Sequence, residues 1–198
     1  MDSHPRRILI IDGHPDAEPG HLCHALVGAY AAGARAAGHQ LRIVELARLD
    51  FPLLRSQRDW ERGTVPAALR PVQLDIAWAG HIVFVFPLWL GDMPALLKAL
   101  LEQIARPGFA LAGKNAPTPG AKLLQGRSAR VVVTMGMPAL IYRWYFRAHS
   151  IRSLERNILG FVGFAPVRET LIGGVESLGA AGVERWLARM HKLGGLGA

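Results

Sequence analysis

Residues 81–87 read HIVFVFP and residues 88–94 continue LWLGDMP. From Ile82 the run is apolar until Pro87 stops it. A continuous apolar run of about 4–8 residues bounded by Pro or Gly fits a strand buried on both faces, and therefore a parallel sheet. Working outward, Arg7 to Asp12 (RILIID) is a second such run, ending at Gly13, and Arg130 to Thr134 (RVVVT) a third, stopping at Gly136. Gln40 to Leu46 (QLRIVEL) alternates apolar and polar residues, as a half-buried strand does. Val167 to Ile172 (VRETLI) is a weaker, mixed run. Helical patterns separate them: His21 to Ala37 before Gly38, Pro66 to Ala79, Pro94 to Ala105, Ser150 to Gly160 and Ala180 to Leu193. Pro near a helix start and Gly just past its end are compatible with those boundaries. Alternating β and α elements with right-handed crossovers predict a doubly wound α/β sandwich.

The 198 residues suit a single domain, 1–198, long enough to bury a core without covalent staples. One cysteine, Cys23, makes no internal disulfide, so nothing points to an oxidising compartment. No run approaches the ~18 apolar residues of a membrane span. The stretch from Met1 to Arg7 has no signal-peptide h-region, so a soluble, cytoplasmic protein without membrane insertion is expected. The net charge of +8 raises the question of a polyanionic partner. That excess is local: residues 127–168 carry seven Arg and one Glu. Arg143, Arg147, Arg152 and Arg156 interleave there with core-type residues and form no free basic tail. No nucleic-acid motif accompanies them, so nucleic acid is not expected as a partner.

In an open α/β sheet, ligands sit beyond the carboxyl ends of the strands, near the point where strand order reverses. Three loops there are distinctive. The first runs from Gly13 through His14 and Asp16 to His21, Leu22, Cys23 and His24, from a strand into a helix. Backbone N–H groups at a helix N-terminus favour phosphate, and His14, His21 and Cys23 can add donors. A plain βα turn shaped by its prolines is the other reading. The histidine spacing matches no common zinc pattern, so no metal is expected. The second loop, Pro87-Leu88-Trp89, sets a flat aromatic at the sheet's rim, with main-chain N–H groups to meet a planar ligand's edge. Trp89 could equally cap the core. The third, Thr134-Met135-Gly136-Met137, leads into Tyr142, Trp144, Tyr145 and His149. Gly136 permits close backbone approach to a ligand, while the aromatics suit a partner subunit. The long stretches Asp50 to Thr64, Pro107 to Gln125 and Gly136 to His149 are read as irregular connections.

There is no G-x-G-x-x-G after the first strand, no Walker A motif, no G-x-S-x-G elbow, no H-E-x-x-H and no C-x-x-C. Dinucleotide-binding Rossmann domains, P-loop NTPases and α/β-hydrolases lose support accordingly.

Four segments carry a family resemblance: ILIIDGHPD at the first strand, FPLWLGDMPALLKALLEQIARPGFA after the third, TMGM after the fourth, and NILGFVGFAPVRETLIGGV before the last helix. Over Arg7 to about Leu193 the chain resembles the flavodoxin-like NAD(P)H:quinone oxidoreductases. That group includes mammalian quinone reductase, the modulator-of-drug-activity reductases and the ancillary reductases of potassium efflux. The resemblance implies a flavodoxin-like three-layer α/β sandwich with a five-stranded parallel sheet in the order 2-1-3-4-5. It implies FMN, with FAD as the alternative and the short chain favouring FMN, NAD(P)H as cosubstrate, and a homodimer with its sites at the subunit interface. His14, His21, Leu22 and Cys23 match the family's phosphate-binding segment. Pro87, Leu88 and Trp89 match the segment against the isoalloxazine. Thr134, Met135, Gly136 and Met137 match the turn beside the ring. Tyr142 falls at the offset of a family tyrosine that handles protons and charge, and His149 lies one position from a family histidine.

The implied reaction is ping-pong transfer of hydride to a flavin and then of two electrons to a quinone or similar small-molecule acceptor. A regulatory flavoprotein docking on a membrane transporter is the alternative that the same resemblance implies. In either case Arg143 and Arg147 are expected to meet the anionic nucleotide or to form inter-subunit ion pairs.

Overall fold

A computed structural model describes residues 5–198; Met1 to His4, and with them most of the stretch searched for a leader, lie outside the described residues. Five strands, β1 (Arg7–Asp12), β2 (Gln40–Glu45), β3 (His81–Pro87), β4 (Ser128–Thr134) and β5 (Val167–Ile172), form one sheet in the order β2-β1-β3-β4-β5. Every neighbouring pair is parallel. All seven residues of β3 are buried, as its unbroken apolar run requires of the middle strand. The edge strands β2 and β5 keep the mixed patterns read in their sequences, with several residues exposed in each.

The helices are α1 (Leu22–Ala36), α2 (Gln57–Arg62), α3 (Arg70–Trp78), α4 (Ala95–Ile104), α5 (Ala139–Trp144), α6 (His149–Ser153), α7 (Gly160–Val162) and α8 (Gly179–Gly195). Pleating sends alternate strand residues to opposite faces. Ile8, Ile10, Val83, Val85 and Val132 meet Leu26 and Tyr30 of α1 and Met190 of α8. Leu9, Ile11, Ile82, Phe84, Phe86, Val131 and Val133 meet Val72 and Ile76 of α3, Leu97 and Leu100 of α4, and Leu159. The result is helix layers on both sides of a parallel sheet. Among the described residues no helix is long and apolar enough to cross a membrane.

Three segments depart from the sequence reading. Asp50 to Thr64 holds α2, because the Ser56 hydroxyl accepts the Asp59 N–H at 3.1 Å and caps the turn. Arg106, 5% exposed, pins that helix by donating to the Asp59 carbonyl and to Gln103 Oε1. Gly136 to His149 holds α5, which starts after Pro138. The helix expected from Ser150 to Gly160 begins one residue earlier, as α6, widens to a π-helical segment over Leu154–Leu159 and continues through α7. Pro107 to Gln125 is irregular, as expected, and is tied by bridges from Leu111 to Pro107 and to Lys122.

Glycines let α1 and α8 approach closely. A Cβ on Gly33 would stand 1.9 Å from the His191 carbonyl oxygen, and one on Gly194 would stand 2.0 Å from that of Tyr30. Gly28, on the exposed side of α1, meets nothing within 4 Å. Gly33→Ala is therefore expected to lower stability by about 1–3 kcal/mol through forced separation of the helices. Gly28→Ala should raise it by about 1 kcal/mol through helix propensity. Urea unfolding of the two variants against the parent chain measures both.

Candidate functional site

β1 and β3 are neighbours in the sheet, yet the helix after β1 covers one face and the helix after β3 the other. Their carboxyl ends therefore open a cleft, the usual ligand position of such sheets. The Gly13 amide donates to the Val85 carbonyl at 2.7 Å, and the Leu88 amide to the Thr134 carbonyl at 2.8 Å, so the three strand ends are stitched together. Gly13 has no room for a side chain: a Cβ would lie 2.9 Å from Leu97 and 3.1 Å from the Val85 carbonyl.

The β1–α1 loop is built around histidines. His14, 6% exposed, stacks on His21 with ring centroids 3.8 Å apart, and His24 packs edge-on to His14 at 5.3 Å. Asp12, at the end of β1, holds His24 Nδ1 at 2.6 Å and accepts the His14 amide at 3.3 Å. Asp16 accepts from the Glu18 amide at 3.0 Å and pairs with His21 Nε2 at 3.0 Å. Burial lowers the His14 pKa, with the neighbouring histidines adding to the effect. Burial also opposes charge on His24, but the Asp12 carboxylate outweighs it and raises the pKa overall. The Asp16 pKa is lowered, first by the Glu18 N–H and then by His21. Helix α1 begins after His21 with no side-chain cap and no acidic residue in its first turn. The Leu22 and Cys23 amides have no acceptor within the helix, the condition that favours an anion there. Beside this loop is a cavity of about 420 Å³ lined by Asp12, His14, His24, Glu45 and Arg48 among others. Among the described residues, no three of His, Cys, Asp and Glu are grouped so as to hold a metal ion.

In the second loop a tight turn sets Trp89. The Trp89 and Asp92 backbones exchange two hydrogen bonds, at 2.9 and 3.0 Å, around Leu90 and Gly91, both at positive φ. That is the geometry of a primed turn. Trp89 is 49% exposed and faces His14 edge-on at 5.8 Å, so it does not cap the core and the first two loops meet. The expected donors of this loop are taken, however. Leu88 N–H goes to Thr134 and Trp89 N–H to Asp92, which leaves the aromatic plane as the loop's main offering.

The third loop is held from behind. Its Met135 amide donates to Ile172, and the Gly174 and Val175 amides donate to Met137 and Met135. Gly173 packs against Ala139, where a Cβ would lie 2.2 Å from the Ala139 nitrogen. Gly136 is exposed, and a Cβ there would meet nothing closer than 3.7 Å, so nothing in the chain itself demands a glycine. Met135 is 3% exposed and Met137 half-buried.

Several side chains point elsewhere than expected. Cys23 Sγ and Thr134 Oγ1 face one another at 3.3 Å in the interior, and burial pushes the Cys23 thiol up to about 12. Their side chains face each other rather than a ligand, and of the two main chains it is the Cys23 amide, in the first turn of α1, that lacks an acceptor within the helix. Tyr142 is 2% exposed, its ring in the core and its hydroxyl 2.5 Å from Ser150 Oγ, so it braces α5 against α6. His149 is exposed at the start of α6. Arg143 pairs with Glu169 of the same chain, and Arg147 and Ala148 lie at positive φ where α5 turns into α6. Asp12 and His24 were not singled out as a pair in the sequence. Their signal was the last residue of an apolar strand facing the third residue of the next helix.

The family model for a flavodoxin-like fold matches residues 6–193. Among curated proteins, the chain is 26% identical over 155 residues to the ribosyldihydronicotinamide dehydrogenase-like protein traD of Penicillium crustosum, covering 66% of this chain and 57% of that one. The chain therefore spans little more than half the length of that relative. Among solved structures, it resembles the NAD(P)H:quinone oxidoreductase of Methanothermobacter marburgensis, with a TM-score of 0.81, 22% identity and coverage of 97% of this chain and 96% of the other. It also resembles the FMN-dependent NADH-azoreductase of Bacillus anthracis in complex with FMN, with a TM-score of 0.72, 16% identity and coverage of 96% and 97%.

Because His24 is charged more readily in the folded chain, the stability from its Asp12 pair is full below about pH 6.5 and falls away as pH rises through the raised value. His14 works in the opposite sense and penalises folding on acidification. Histidine titration by NMR should show His24 deprotonating at higher pH than His14, and Asp12→Asn should bring the two together.

Proposed function

Taking as premise that the chain belongs to the Flavodoxin_2 family, defined by its flavodoxin-like fold, we propose that it is a flavin-dependent NAD(P)H oxidoreductase acting on a quinone or similar small acceptor. The observation that carries this reading is the bare N-terminus of α1. Its first-turn amides are uncapped, its first turn holds no acidic residue, and it stands beside His14 and His21, one loop away from the exposed plane of Trp89. A phosphate-bearing planar cofactor needs that combination. The similar proteins, an NAD(P)H:quinone oxidoreductase and an FMN-dependent NADH-azoreductase among them, agree with it.

The residues present fit FMN in part. Leu22 and Cys23 amides with His14 and His21 would hold the phosphate, where the helix dipole favours negative charge. Trp89 would support one edge of the ring, and the vacant side of Gly136 would let main chain approach it. The occupied Leu88 and Trp89 amides and the inward Thr134 hydroxyl do not supply ring hydrogen bonds. When bound, the flavin supplies two-electron chemistry, accepting hydride from NAD(P)H and passing electrons to the acceptor in a ping-pong exchange.

This chain's residues do the rest. His14, kept neutral by burial, presents a hydrogen-bonding ring without adding charge. His24, whose pKa rises because its ring pairs with Asp12, offsets that carboxylate's charge beside the phosphate end. Tyr142 acts as a positioning residue through Ser150, and His149 is the exposed group available to hand a proton to reduced acceptor. Trp89, Leu90, Leu140, Trp144, Tyr145 and Phe146 remain exposed around the same rim, and a second copy of the chain would cover them and complete the acceptor site.

The purified protein should carry a flavin absorbance spectrum and oxidise NAD(P)H when a quinone is added. Absence of both, even with FMN supplied, would overturn the reading. His14→Ala should weaken FMN binding about tenfold, the loss of one hydrogen bond to a charged group, measured by quenching of flavin fluorescence. Trp144→Glu, at a position 77% exposed, should convert a dimer into monomers in analytical ultracentrifugation while leaving the fold intact.

A further inference from the structure

The amino end of the sheet, opposite the cleft, gathers positive charge that the proposed function does not use. Arg130 of β4 is 7% exposed, and its Nε is a buried donor with no partner among the described residues. One of its terminal nitrogens donates to Thr170 Oγ1 at 2.8 Å. No carboxylate among the described residues pairs with it. Arg168 is its direct partner in the β4–β5 register and, two residues before Thr170, faces the same side of the sheet. Arg189 of α8 is exposed, with its guanidinium over the Trp186 ring at 5.1 Å, and adds a like charge that Arg130 feels. Tyr30 of α1 is fully buried there, and its hydroxyl donates at 3.4 Å to a main-chain oxygen of the last residue, Ala198, longer than the roughly 2.5–3.0 Å of a good O–H···O bond.

His81 of β3 completes the group. Its Nδ1 meets Ser128 Oγ at 2.8 Å, while its buried Nε2 has no partner among the described residues. Burial, then Arg6, Arg130 and Arg168, push its pKa down to about 4, so it is neutral near neutral pH.

An unpaired buried guanidinium is costly, and like charges on directly paired strand positions repel. The sequence could have supplied a carboxylate at Thr170 or Tyr30 and did not. An anion with several acceptor oxygens would both relieve the repulsion and give the orphaned Arg130 Nε its acceptor. We propose that this face of the sheet's amino end binds a small tetrahedral oxyanion, free phosphate or the phosphate group of a small monoester, held by Arg130, Arg168 and Arg189 with the Tyr30 hydroxyl as a neutral donor. Arginine matches such a ligand because its planar fork offers paired donors. The exposed Arg168 and Arg189 form the open side, and Arg130 the buried anchor.

The test is thermal unfolding of the full chain as purified, titrated with inorganic phosphate or ribose 5-phosphate, with ionic strength held constant by sodium chloride. Phosphate should raise the melting temperature by about 3 °C at saturation. The double variant Arg168→Gln/Arg189→Gln, altered only at exposed positions, should shift the phosphate midpoint at least about tenfold. His14→Ala, altered at the opposite end of the sheet, should leave that midpoint unchanged, which also separates this site from the proposed flavin phosphate site. Arg130→Met should abolish the response; if it does not fold, the double variant decides. A tighter response to ribose 5-phosphate identifies a monoester ligand, and a tighter response to inorganic phosphate identifies the free anion. No shift beyond that of chloride, a shift that survives in the double variant, or one that disappears in His14→Ala overturns the proposal.

Discussion

The complete burial of β3 is the constraint on which the rest depends. Its seven residues are inaccessible on both faces, so the backbone must find its hydrogen bonds in β1 and β4 and the side chains must find helices above and below. Parallel neighbours require crossovers, and covering both faces sends α1 and α4 in opposite directions from adjacent strand ends. The cleft between them follows from that divergence. The stitches from Gly13 to Val85 and from Leu88 to Thr134 then hold its floor rigid. A site placed on such a floor needs only loops to give it chemistry, and the three loops here contribute different things: uncapped amides with histidines, an aromatic plane, and a turn with vacant space over Gly136.

Charge is distributed with similar economy. The +8 excess concentrates in residues 127–168, yet its arginines have unlike roles. Arg143 is neutralised by Glu169 on one face of the β5 edge. Arg130 and Arg168 sit on the other face, where no carboxylate among the described residues pairs with Arg130, and Arg189 adds its charge from α8. At the opposite end of the sheet, Asp12 and Asp16 organise three histidines into a cluster in which the pKa values of His14 and His24 are pushed in opposite directions. Among the described residues the two ends of one sheet thus treat charge differently, pairing carboxylates with histidines at the carboxyl end and setting Arg130 beside Arg168 toward the amino end.

The strands, their order of appearance, the main helices and the three carboxyl-end loops were legible in the sequence, because apolar run length and Gly or Pro punctuation are local signals. Helix α2 was missed although Ser56 and Asp59 carry a cap signature, since the segment has no buried residue to give it periodicity. Helix α5 was missed because it is six residues long and buries only Tyr142. The site residues were legible as positions but not as donors. Cys23 and Thr134 were read as facing a ligand, and they face each other.

The sequence by itself determined that the chain would build a parallel sheet with its distinctive loops at one end, because burial on both faces demands apolar runs and turns demand particular residues. Only the tertiary structure decided which polar groups remain available. Leu88 finds its acceptor in Thr134, Cys23 finds Thr134 across 111 positions, and Arg130 finds Arg168 beside it where a carboxylate would have been welcome. Those pairings join residues distant in the chain, and whether a donor is occupied or free depends on the atom that packing brings within about 3 Å of it.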